Sequence, residues 1–417
     1  MKKIICHFRS NLSLLIAFWL VLMLSQDGFA QTYELVIKGA HVIDPAHSRN
    51  GKMDVAVSQG KIAKVASNIS ETAAQVINAE GLYLTPGFID PHTHVFVGTQ
   101  AGQFANGVNS VSPDDFTFRS GVTTVVDAGT SGWRSFPLFK KQVIDQSKTR
   151  ILAFLNIAGG GMTGAAHEQN LQDMNVDSAV AVMQQYPDVI AGVKIGHYNG
   201  KEWTPFDHAL QAAKQAGKPL FVECHLPEYA LEDQLAKMRP GDIITHTFEN
   251  IKERMPIVGE NGQVRPFVLA AQKRGVLFDL GHGGAGFWFD QAVPAVKQGF
   301  YPNSFGTDLH RFSMNSAMKD MANVMSKFMA MGLSLEQVVE IATWNAAKAL
   351  NHPELGNLKK GNPADLALFR LREGVFGFMD SAGNSISGSR KLEVEMTVRQ
   401  GKVVWDLNGL AAKKKAF

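Results

Sequence analysis

The chain has 417 residues, 45% of them hydrophobic and 19% charged, with a formal charge of +3. That composition excludes a disordered or low-complexity protein, and the small net charge leaves no nucleic-acid footprint. The length exceeds what one small core needs and suits one large barrel with a smaller appendage.

Residues 1–30 read as a signal peptide. Lys2, Lys3 and Arg9 form a positive start, Leu12 to Leu24 an apolar core, and Gly28-Phe29-Ala30 a small-residue cleavage site. The apolar core is too short to span a bilayer comfortably, so no membrane anchor is expected after cleavage. The predicted address is periplasmic or secreted. Of the two cysteines, Cys6 lies in this leader, so Cys224 would be the one thiol of the mature chain, without an intramolecular disulfide.

From Tyr33 to Leu84 short alternating segments, such as Asp54-Val55-Ala56-Val57, are punctuated by Gly, Asn and Ser turns and read as strands. Strand signals return beyond Gly356. The two ends, 31–86 and 351–417, are predicted to pair into one small β-sandwich. Between them, residues 87–350 alternate short apolar strands with helical stretches, the pattern of parallel βα units. Eight strands can be placed: Gly87 to Pro91, Val122 to Asp127, Ile151 to Ile157, Ile190 to Ile195, Leu220 to Cys224, Asp242 to Thr245, Val276 to Leu280 and Asn303 to Thr307. The fold class is therefore α/β, a (β/α)8 TIM-like barrel carrying the sandwich. Helices are expected at Phe206 to Gln215, stopped by Gly217, and at Leu335 to Leu350, capped by Ser334.

The first barrel strand carries Pro86-Gly87-Phe88-Ile89-Asp90-Pro91-His92-Thr93-His94. Alternate residues of a strand face the same way, so His92 and His94 project together, a pairing that suits a metal. In a barrel, function gathers at the carboxyl ends of the strands. Reading those ends adds Lys194 (fourth), His225 (fifth), His246 (sixth) and Asp308 (eighth). Each alone has a bland explanation: a surface lysine, core histidines, a helix cap. Six such groups at matching places form a constellation. His197 and Tyr198, just past Lys194, and His282, in a glycine-rich turn, are expected to line the pocket. Cys224 points opposite to His225 and reads as buried packing.

These motifs resemble the amidohydrolase superfamily over nearly the whole mature chain. Gly281-His282-Gly283-Gly284 and Ser304-Phe305-Gly306-Thr307-Asp308-Leu309-His310 look like its amidohydrolase/deacetylase, dihydroorotase-like subgroup. The resemblance implies two divalent metal ions, zinc by default, in the barrel mouth. It assigns His92, His94 and Asp308 to the more buried ion, His225 and His246 to the other, and a bridge to Lys194 carboxylated by carbon dioxide. It implies hydrolysis of a small acylated compound or cyclic amide by a metal-bridging hydroxide, with Asp308 moving the proton. No arginine follows the His-x-His pair, which argues against a true dihydroorotase. A secreted dipeptidase and a non-catalytic scaffold are the alternatives. The expected partner is a small molecule; assembly into a homo-oligomer is left open.

Overall fold

A computed structural model describes residues 33–413. The signal-peptide segment lies outside the described residues.

Two sheets organise the chain. The first is built from both ends of the sequence. Strands β1 (Tyr33–Asp44), β2 (Arg49–Ser58), β3 (Lys61–Ala66), β4 (Ala73–Asn78) and β5 (Tyr83–Pro86) join β14 (Leu366–Met379), β15 (Ser385–Arg399) and β16 (Lys402–Asp406). The strand order is β16-β15-β14-β5-β1-β2-β3, with β4 beside β1. The seam between the two ends is the antiparallel pair β5·β14, in which Leu84 faces Leu368 and Pro86 faces Leu366. Leu35, Ile37, Val55, Leu366, Met396 and Val398 share one core there. The pairing is one continuous mixed sheet. The β14–β15 hairpin runs beyond it and packs on helix Met321–Ala330, where Leu392 N donates to Ser326 Oγ at 3.0 Å.

The second sheet is parallel, in the order β13-β12-β11-β10-β9-β8-β6. Its strands are β6 (Phe88–Thr93), β8 (Val122–Gly132), β9 (Arg150–Asn156), β10 (Ile190–Gly196), β11 (Leu220–Glu223), β12 (Ile243–Ile244) and β13 (Leu277–Phe278); the short β7 (Val97–Gln100) lies in the loop after β6. These segments are buried on both faces, as parallel strands covered by helices must be, with polar residues toward their carboxyl ends. The predicted eighth strand is not regular. Residues 303–309 nonetheless touch both edges: Ser304 bridges Asp279 and Leu309 bridges Thr93. Asn303 takes part with its side chain, its Oδ1 accepting from Phe278 N at 2.8 Å. The side-chain bond and a left-handed Asp308 (φ 51°) break the ladder while closing the sheet on itself.

Helix Thr204–Ala216 ends at Gly217 (φ 64°). Ser334 caps the last long helical segment through a capping box with Gln337. That segment is not uniform: after Leu335–Glu340 it widens by a π turn at Ile341–Asn345 before Ala346–Ala349.

Candidate metal centre

Strand parity sets the first pair. His92 and His94 alternate at the exit of β6, so both face one side, while an irregularity between Asp90 and Thr93 takes Asp90 out of that alternation. His92 Nδ1 lies 2.9 Å from Thr245 Oγ1, which donates to Asp279 Oδ2 at 2.8 Å. His94 Nδ1 lies 2.9 Å from Thr130 Oγ1. His246 Nδ1 is 2.7 Å from the Gly281 carbonyl, and His225 Nδ1 is 2.8 Å from Glu249 Oε2. Four imidazoles thus have Nδ1 held from behind, and their Nε2 atoms converge. His94 Nε2 is 3.2 Å and His92 Nε2 3.6 Å from Asp308 Oδ1. His246 Nε2 is 2.9 Å and His225 Nε2 3.4 Å from Glu223 Oε1. His92 Nε2 is buried with no hydrogen-bond partner.

Three buried carboxylates brace this end of the sheet. Asp90 accepts from Thr307 N and Oγ1, fixing the approach to Asp308. Burial pushes Asp90 up to about 8. Asp127 takes Val95 N and Thr130 N. Asp279 takes Thr245, Ser304 and Gly306. Among the ionised groups, burial works against charge but neighbours overcome it. His310, His92 and His94 hold Asp308 well below the ordinary carboxylate range. Glu223 lifts His246 to about 9 and, with Glu168, lifts His197 to about 10. His225 and Arg254 bring Glu249 to about 2.

Lys194 is wholly buried on β10, and its Nζ donates to the Ala128 carbonyl and to Glu223 Oε2. The lysine crosses directly over Gly129 (φ 80°), where a Cβ would lie 2.4 Å from Lys194 Cγ. Glycine is therefore required twice there, by conformation and by space. Gly283 (φ 47°) plays the same part under Asp308, whose Oδ2 would meet an added Cβ at 2.2 Å.

The expected pocket residues separate. His197 joins the site, with Nε2 3.1 Å from Glu223 Oε1 and Nδ1 2.6 Å from Glu168 Oε2. It opens on a cavity of about 270 Å³, also lined by His167, Gln169, Tyr198, His225 and Leu226. Tyr198 lies on the rim with its hydroxyl donated to Glu202 at 2.7 Å. His282 is fully buried: its Nε2 meets Lys327 Nζ at 2.7 Å, its Nδ1 meets the Gly283 carbonyl, and Phe287 stacks on its ring. Neither ring nitrogen is left for a pocket ligand. Cys224 is packed in the core, its thiol pushed up to about 12 by burial.

Sequence reasoning passed over Glu223, Glu168, Glu249 and His310. Only Glu223 had a local signal: in Glu223-Cys224-His225 it shares the parity of His225, as His92 shares that of His94. Four non-glycine residues of this region, Glu168, His197, His246 and Asp308, have left-handed backbones. Such conformations cost about 1–3 kcal/mol each and gather at functional sites.

The donor set fits divalent cations. His92, His246 and Asp308 form one compact group and His197, Glu223 and His225 a second. Imidazoles held at Nδ1 from behind turn Nε2 inward, the orientation from which a ring freed of its Nε2 proton ligates metal.

The profile of the amidohydrolase family matches residues 290–404. The chain is 32% identical over 334 residues to a deacetylase of Agrobacterium fabrum, covering 78% of this chain and 80% of that protein. Among solved structures it is similar to an adenine deaminase, with TM-score 0.83, 27% identity, and coverage of 90% of this chain and all of the other. It is also similar to a dihydroorotase, with TM-score 0.79, 27% identity, and coverage of 89% and 99%.

Proposed function

The chain belongs to the amidohydrolase family and is a hydrolase of that type, and on that premise we propose that it uses two divalent cations to cleave the amide or ester bond of a small acylated compound bearing a carboxylate. The observation that carries this reading is the convergence of four back-held imidazoles on Asp308 and Glu223, with His92 Nε2 buried and unpartnered.

His92, His94 and Asp308 would hold one cation and His225 and His246 the other, with His246 within reach of both groups. Lys194 would carry the carbamate. When bound, such cations polarise a carbonyl and acidify water. The remaining work falls to the chain. Thr245, Thr130, Gly281 and Glu249 hold each imidazole from behind at Nδ1 and so set its orientation. Asp308 Oδ2, on the side of His310, takes the proton of the attacking water and returns it to the leaving nitrogen or oxygen. The substrate carboxylate would enter the cavity lined by His167 and His197. The barrel, the small sandwich and export from the cytoplasm are part of the same proposal.

A hydrolysis screen tests it. N-acyl amino acids, O-acyl hydroxy acids, dipeptides and cyclic ureides would be offered to chelator-treated and cation-reconstituted protein. Turnover of acylated acids only after reconstitution is expected. Good turnover of dipeptides with none of acylated acids would overturn the substrate assignment.

A further inference from the structure

We infer that Glu223 is itself a cation ligand, a carboxylate at the end of the fifth barrel strand lying between the two cation positions. The inference rests on the metal-dependent reading above and deepens it.

Glu223 is the last residue of β11, the place where such folds set their functional groups, whereas His225 lies two residues past it. Its side chain is buried and central. Oε2 faces Lys194 Nζ and lies 3.8 Å from His92 Nε2. Oε1 is surrounded by three imidazole nitrogens: His246 Nε2 at 2.9 Å, His197 Nε2 at 3.1 Å and His225 Nε2 at 3.4 Å. Each of those rings already gives its Nδ1 side to an obligatory acceptor: the Gly281 carbonyl, Glu168 and Glu249. Three imidazole nitrogens thus converge on one carboxylate oxygen, each ring anchored from behind. A role as counter-ion to Lys194 involves Oε2 alone. A divalent cation among these atoms would take the place of the protons that Oε1 and the three Nε2 atoms share, and bond to the same groups.

Glu223 also connects the two groups, since it sits in the second and touches His92 and His246 of the first. A carboxylate here makes the site harder than imidazole alone would, which favours manganese or iron beside zinc.

The test counts cations. Chelator-stripped wild type, Glu223→Gln and Glu249→Gln would be titrated with Zn2+ and with Co2+ by equilibrium dialysis, their folding checked by circular dichroism. Wild type should take two per chain. Glu223→Gln should take one, or bind the second with a loss beyond the ~10–100-fold that an outer partner costs. Glu249→Gln, which removes only an outer partner, should keep both within that range. Two cations bound by Glu223→Gln with wild-type affinity would overturn the inference and leave the metal-dependent reading standing. A wild type that binds none would overturn both. Should Glu223→Gln fail to fold, anomalous scattering from the Zn2+-loaded wild type decides: a Glu223 oxygen about 2.0–2.2 Å from an ion is expected. Both oxygens lying beyond hydrogen-bond range of any ion would refute it.

Discussion

Replacing Thr245 by valine should weaken cation binding about 10–100-fold while leaving the fold intact. The hydroxyl is fully buried and does two things: it accepts from His92 Nδ1 at 2.9 Å and donates to Asp279 Oδ2 at 2.8 Å. Valine keeps the shape and removes both bonds. A buried polar group left without its partner costs about 1–3 kcal/mol. Two are affected, but each has relief. Asp279 keeps Ser304 and Gly306 on Oδ1, and its Oδ2 already lies 3.4 Å from His92 Nδ1. The penalty on the ligating form of His92 should therefore sit in the middle of that range, about 1.4–2.8 kcal/mol, which is the stated 10–100-fold. The assay is competition for Zn2+ between apo-protein and a chromophoric chelator, with Thr397→Val as control. Thr397 is equally buried, with its hydroxyl on the Phe118 carbonyl, far along the chain from the site. The control should lose stability and keep its affinity. A Thr245→Val affinity within twofold of wild type would refute the idea that the threonine–aspartate relay orients a ligand.

Asp308→Asn should keep the fold and lose about 10²–10⁴ of turnover, measured on whichever acylated acid the screen returns; near-normal turnover would remove Asp308 from proton transfer. Lys194→Ala should lose both cations and activity, with short carboxylic acids restoring part of each by replacing the missing anion. Lys327 gives a pH test away from the ligands. Burial brings it down from 10.5 to about 7, against the pull of Asp380. Its folded value is depressed, so between those two values the unfolded chain binds the extra proton and stability rises with pH. Urea denaturation of wild type and Lys327→Met should show wild type gaining on the variant from pH 7 to 9, by at most about 1.4 kcal/mol per pH unit. A gap that does not change with pH would show that the lysine titrates normally.

Much of the site was legible because strand parity is a local rule. His92 and His94 declared a shared face, and the carboxyl ends of successive strands predicted where Lys194, His225, His246 and Asp308 would stand; the structure gathers all six at one end of the parallel sheet. The same parity rule held Glu223, but a glutamate beside a histidine reads as an ordinary neighbour unless its strand position is weighed first. Glu168 and Glu249 come from loops, whose paths no periodicity reveals. His282 was misplaced for a related reason. Its glycine-rich turn marks a close approach, yet what it approaches, Lys327 on a helix of the next unit, is a long-range contact. The two chain ends each read as strands, but their seam at β5·β14 depends on a register that only the folded chain sets. The eighth strand kept its place in the sheet and lost its regularity because Asn303 pairs with Phe278 through its side chain and Asp308 takes a left-handed backbone at the site.

The most direct measurement is the divalent-cation content of the full-length protein, purified without chelators or metal-affinity steps and analysed by elemental mass spectrometry. Close to two ions per chain are predicted, falling in Asp308→Asn and in Lys194→Ala. A folded, hydrolytically active protein carrying none would contradict the proposed metal centre.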